Sequence, residues 1–124
     1  MTETRRRAFV VTSNQNVDLT AVLEHGDIVM IFDKSKGVKL GSPFDLDSIC
    51  RVIRQRMREL CFDPTVDYVV VYGSFIYMSC LAAVIAVDYG TIHMLLFDSP
   101  NSRYVPRRID FTGRTRHLPS HLQQ

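Results

Sequence analysis

Hydrophobic positions along the chain fall into two patterns, unbroken apolar runs and one clear helical stripe. The runs sit in RAFVVTSN (7–14), HGDIVMIFDKS (25–35), VDYVVVYGS (66–74) and YGTIHMLLFDS (89–99). They are rich in β-branched and aromatic residues, which suits strands, and their continuous apolar character suits a parallel sheet covered on both faces. The stripe lies in GSPFDLDSICRVIRQRMRELCFDP (41–64). There Leu46, Ile49, Cys50, Ile53, Met57, Leu60 and Cys61 recur at spacings of three, one and four, as one face of an amphipathic helix does. Asp45 or Ser42 can cap its start, and Pro64 lies just past its end. A shorter helix is expected near Leu19 to Glu24.

The longest apolar stretch needs separate treatment. Val69 to Val87 is nineteen residues without a charge, enough to cross a bilayer as a helix. Its first part, YVVVY, favours a strand, and Gly73-Ser74 then interrupts it. FIYMSCLAAVIAV follows, richer in Ala, Leu and Met, and closes at Asp88-Tyr89-Gly90. Ser74 suits an N-cap and Gly90 a left-handed helix end. Both flanking charges, Asp67 and Asp88, are acidic, whereas membrane spans are oriented by nearby Lys and Arg. Strand, tight turn and helix are expected here, not a span.

Two segments, 25–35 and 89–99, share Gly, Ile, Met, Phe-Asp and Ser in similar order, so each half reads as strand–helix–strand. After the turn cluster SPNS, RYVPRRIDF suits a returning hairpin strand. Pro106 cannot donate a ladder hydrogen bond, which places that strand at the sheet edge. The expected fold is α/β: a small Rossmann-like, mostly parallel sheet of about five strands, with helices on both faces and a C-terminal antiparallel hairpin strand at its edge. One domain spans 1–111, followed by a loose basic tail, 112–124.

Composition fits a soluble globular domain, 46% hydrophobic and 23% charged, and the net charge of +2 conceals a bias. Twelve of the fifteen basic residues are arginine, clustered at 5–7, 51–58 and 103–116. Arginine grips phosphate and carboxylate in a planar, two-point fashion. Arg51, Arg54 and Arg58 share one solvent face of their helix, with Arg56 on its flank. With Arg103, Arg107 and Arg108 they are candidates for a basic surface that binds nucleic acid or another polyanion, although a solvated helix face gives the same pattern. Cys50, Cys61 and Cys80 form no CxxC pair and read as buried thiols of a reducing compartment. Ala8–Val11 is too short for the core of a signal peptide, so a cytoplasmic location is expected.

The second helix is apolar all round, which asks for burial all round. Few elements remain to cover its outer side, so a homodimer is expected, with Phe75, Ile76, Met78, Ser79, Ala82 and Ala83 at a twofold interface. A nucleotide-binding or phosphate-handling alternative uses Gly73 and Ser74 at a helix start, with Asp33 and Asp98 at strand ends. The spacing of His117 and His121 is ligand-like, but the Pro-interrupted tail argues against a metal, and no cofactor is indicated. His25 and His93 read as structural.

The run VVVYGS…LLFDSPNSRYVPRRIDF resembles short α/β proteins of unassigned function encoded by tailed bacteriophages, over roughly residues 8–111. That resemblance implies a small accessory protein working inside an infected bacterium and carries over no site residue. Non-enzymatic binding is the expected role, to nucleic acid or, alternatively, to a host or viral protein, away from membranes.

Overall fold

A computed structural model describes residues 6–11, 19–32, 42, 44–72 and 75–111. Five strands form one mixed sheet: β1 (Arg7–Val10), β2 (Asp27–Met30), β3 (Tyr68–Val70), β4 (Thr91–Asp98) and β5 (Arg103–Asp110), in the order β2-β1-β3-β4-β5. β2, β1, β3 and β4 run parallel, and β5 returns antiparallel to β4 at the edge, where Pro106 is tolerated. Two α-helices, α1 (Leu46–Glu59) and α2 (Phe75–Asp88), and a 3-10 helix, Thr20–Glu24, make the crossovers.

Strand order and handedness together decide which element covers which face. The chain steps from β1 outward to β2, then reverses across β1 to reach β3 and continues to β4. Right-handed crossovers in opposite directions lie on opposite faces. The 3-10 helix therefore covers one face, while α1 and α2 share the other. On the α-helical face Phe9, Ile31, Val69 and Ile92 of the β1, β2, β3 and β4 segments meet Ile49, Ile53 and Met57 of α1 and Leu81, Val84 and Ile85 of α2. The second face has a smaller core of Ala8, Val10, Val22, Val70, Leu95 and Tyr104.

Local chemistry sets the helix ends. Asp45 caps α1 by accepting from the Ser48 amide at 3.2 Å and the Ser48 hydroxyl at 2.7 Å, so of the two candidate caps Asp45 is used. These bonds, the hydroxyl's first, hold the Asp45 carboxyl below its usual range. The chain leaves α1 through Cys61 at φ 53°, a left-handed position that glycine usually fills, while the Phe62 amide donates to the Met57 carbonyl at 2.9 Å. α2 ends at Gly90 with φ 80°, as its sequence predicts.

The long uncharged stretch is thus β3 followed by α2, and among the described residues no helix is long and apolar enough to cross a membrane. The cysteines depart from expectation. Only Cys80 is buried; Cys50 is partly exposed and Cys61 exposed. Burial, reinforced by hydrogen bonding to Cys50, pushes the Cys80 thiol up to about 11.

Candidate anion-binding interface

The arginines divide into structural and exposed groups. Arg56, expected on the flank of its helix, is buried. Its Nε donates to the Ile31 carbonyl at 2.7 Å, Nη2 to the Met30 carbonyl at 3.2 Å and Nη1 to Glu59 at 3.1 Å, pinning α1 to the end of β2. Arg7 does similar work at the other end of α1. It donates to the Leu60 and Cys61 carbonyls at 2.6 and 2.9 Å and pairs with buried Asp67 at 2.8 Å. A cation on the last carbonyls of a helix also opposes the helix dipole.

Of the predicted α1 set, Arg51 and Arg58 are exposed, whereas Arg54 is bonded to Asp88 of α2 at 2.6 Å. Together with Asp47 and Glu59 they line a shallow groove of about 560 Å³, so this surface carries both signs. Arg103, Arg107 and Arg108 are exposed on β5. The structure does not join the two sets: α2 packs between α1 and β4, and β5 lies beyond β4. Arg103 faces Asp98 across the ladder at 3.6 Å, but Arg107 and Arg108 lie opposite Met94 and His93.

Strand alternation sends Arg108 to the face without α-helices. There Tyr68, His93 and Arg108 fall in one row across β3, β4 and β5, with Arg6 just before β1. Arg6 Nη1 donates to the Tyr68 hydroxyl at 3.0 Å, its guanidinium 5.2 Å from the ring centre. The Tyr68 and His93 rings lie 6.4 Å apart, and Arg108 Nε donates to the Thr91 hydroxyl at 3.3 Å. Burial pushes the His93 imidazole below its usual range, and Arg108 and Arg6 add to that push. Sequence reasoning left Arg6 and Tyr68 out and read His93 as structural. The signal that finds them is the register, which no single segment contains. His25 Nε2 donates to the Tyr104 carbonyl at 3.1 Å.

Of the predicted interface residues on α2, Phe75, Ser79 and Ala83 are exposed, Phe75 at 91%, and Val87 extends the same stripe at 77%. Ile76, Met78 and Ala82 are half-buried. Beside the stripe an apolar groove of about 400 Å³ is lined by Leu46, Cys50, Phe75, Ile76, Ser79, Cys80 and Ala83. The nucleotide candidates Gly73, Ser74 and Asp33 lie outside the described residues, as does the tail with His117 and His121. Asp98 is described, and it turns back on its own chain, accepting from Asn101 at 2.7 Å. Among the described residues no cluster of acidic, His or Cys side chains is arranged to hold a metal ion.

A family model, phage Pam3 gp32-like protein, matches residues 2–111. The chain belongs to that family. Searches of curated proteins and of solved structures each found no match. Membership of a phage family agrees with the resemblance read from the sequence and assigns no role to any residue.

Proposed function

We propose that this family member is a non-enzymatic accessory protein that acts as a homodimer in the cytoplasm of the infected cell and binds a polyanion, nucleic acid in the first instance. The supporting observation is the exposed edge strand β5, where Arg107 and Arg108 have no carboxylate opposite them in the ladder. Adjacent cations on an open edge strand, alternating between its faces, offer contacts to phosphates spaced along a chain. Arg51 and Arg58 supply a second, weaker patch, offset by Asp47 and Glu59.

Dimerisation rests on α2. Phe75, Ser79, Ala83 and Val87 are spaced four apart, small at the centre and large at both ends. About a twofold axis two antiparallel copies would set Ser79 against Ala83, small residues that let the helices approach closely. α1 and α2 run parallel, since Leu46 lies beside Phe75 in the groove and Arg54 beside Asp88. Antiparallel pairing therefore sets the Asp47 end of α1 against the Arg58 end of the other copy, a favourable match of charge.

Sedimentation equilibrium tests the dimer: the native chain is expected to sediment as a dimer and Ala83→Arg as a monomer. A native monomer at micromolar concentration rejects this part. For the polyanion, Arg107→Glu with Arg108→Glu should abolish a gel shift that weakens steeply with salt in the native protein. Arg54 is better left unchanged, because reversing it also breaks the tie to Asp88. A retained shift in the β5 double variant rejects the proposed surface.

A further inference from the structure

We infer that the cavity on the face without α-helices is a binding site for one phosphomonoester group, gripped between Arg6 and Arg108 beside the Tyr68 and His93 rings. Its described lining is Arg6, Tyr68, His93, Pro106, Arg107 and Arg108, around about 230 Å³. Pockets for whole small molecules usually hold roughly 300–1,000 Å³, so this one suits a single group rather than an entire cofactor.

Three arginines border the cavity and, among the described residues, no carboxylate does. Arg7, Arg54, Arg56 and Arg103 each have an acidic partner within 4.0 Å. Among the described residues, the oxygens that Arg6 and Arg108 reach are hydroxyls, of Tyr68 and Thr91. Asp110 follows Arg108 by two residues, and the Asp27 amide donates to the Arg6 carbonyl, but neither carboxylate lines the cavity and each has interactions of its own. A guanidinium has five N–H donors, so most of the donor capacity of both arginines remains for a ligand. The Tyr68 hydroxyl accepts from Arg6 and keeps its own proton to donate. Two fixed positive charges match a phosphomonoester, which carries close to two negative charges at neutral pH, better than the single charge of an internal phosphodiester. The groups around His93 are Arg6, just before β1, Tyr68 of β3 and Arg108 of β5, with Thr91 on its own strand. Charge repulsion there is relieved when an anion enters, so binding should draw a proton onto His93.

This site deepens the polyanion proposal and can fail separately from it. The shared chemistry, a terminal phosphate, is offered both by a nucleic-acid end and by a free phosphorylated metabolite. The first probe is inorganic phosphate, added to the full chain against sodium chloride of equal ionic strength, with the His93 ring followed by NMR. A saturable shift and a raised His93 pKa are expected, with affinity at least about tenfold weaker in Arg6→Ala and in Arg108→Ala, as loss of a charge-assisted contact implies. The second probe is an oligonucleotide with or without a 5′-phosphate. Preference for the phosphorylated end assigns the site to strand ends. Equal binding, with the phosphate response intact, assigns it to a free phosphomonoester. Identical His93 titrations in phosphate and chloride, or a phosphate response surviving in the Arg6→Ala/Arg108→Ala double variant, overturn the site. If oligonucleotides still bind in that case, the polyanion proposal stands without it. If phosphate binds and oligonucleotides do not, the pocket stands and the nucleic-acid proposal falls.

Discussion

The two faces of the sheet use the same residue type for opposite ends. On the α-helical face Arg7 and Arg56 are consumed by carbonyls and carboxylates of the protein itself. On the other face, among the described residues, Arg6 and Arg108 reach neutral hydroxyls and border a cavity. Arg6 and Arg7 are neighbours in sequence, yet alternation along an extended chain sends them to opposite sides. An arginine count is therefore no measure of binding surface. Local surroundings decide whether each cation closes the fold or faces outward.

The largest test of this contrast is Arg56→Ala. Removing the side chain leaves the Ile31 and Met30 carbonyls without its donors at a buried site and frees Glu59. Breaking a buried charged network of this kind costs about 3 kcal/mol. Urea unfolding should show the loss as a lower midpoint at unchanged slope. If Arg56→Ala is as mild as Arg108→Ala, the division between structural and outward arginines collapses.

Gly26→Ala comes next, because it tests whether the two faces are mechanically independent. A Cβ at Gly26 would meet the Arg6 carbonyl oxygen at 2.5 Å and its carbon at 2.8 Å. Those are backbone atoms and cannot swing aside, so the start of β1 must move, at an expected cost of about 2 kcal/mol. Since Arg6 moves with it, the loss of stability should be accompanied by a weaker phosphate response at His93. Lost stability with an unaltered phosphate response would separate the cavity from the β1–β2 junction.

Much of the architecture was legible from local signals. Runs such as Tyr68–Tyr72 announced strands, the stripe from Leu46 to Cys61 announced α1, and the glycine after Tyr72 divided strand from helix. The assignment of crossovers to faces was less accessible, because it depends on strand order. α1 and α2 share a face only because the chain reverses across β1. The short helix expected near Leu19 to Glu24 is present in the first crossover, as a 3-10 segment, Thr20–Glu24. Site residues were harder still. Arg56 follows Ile53 by three residues and so falls on the buried stripe, but a charged residue there reads as flank until a carbonyl end is placed beside it. Arg6, Tyr68, His93 and Arg108 come from four separate segments, and only the register makes them a row. α2 shows the reverse case: its composition demanded a cover, and the structure leaves Phe75, Ser79, Ala83 and Val87 exposed for one.

Arg108→Ala should have the smallest effect on stability and the most specific effect on charge. The residue is exposed and donates one long hydrogen bond, so its loss should change stability by no more than about 0.5 kcal/mol. His93 should respond more clearly. Its folded-state pKa lies below the ordinary value of 6.5, with burial the first cause and Arg108 the second. The folded protein thus binds this proton less readily than the unfolded chain. Above 6.5 both states are neutral at His93 and the shift has no effect on stability. As pH falls below that value the unfolded chain gains the proton first, and stability declines until the lowered folded pKa is passed. Removing Arg108 brings the two pKa values closer and should shrink that acid-side decline. NMR titration of His93, with urea midpoints measured well above and well below its ordinary pKa, reads both consequences. An unmoved His93 pKa in Arg108→Ala would mean that the guanidinium does not act on the ring, and the cavity would lose the charge coupling that makes it selective for a dianion.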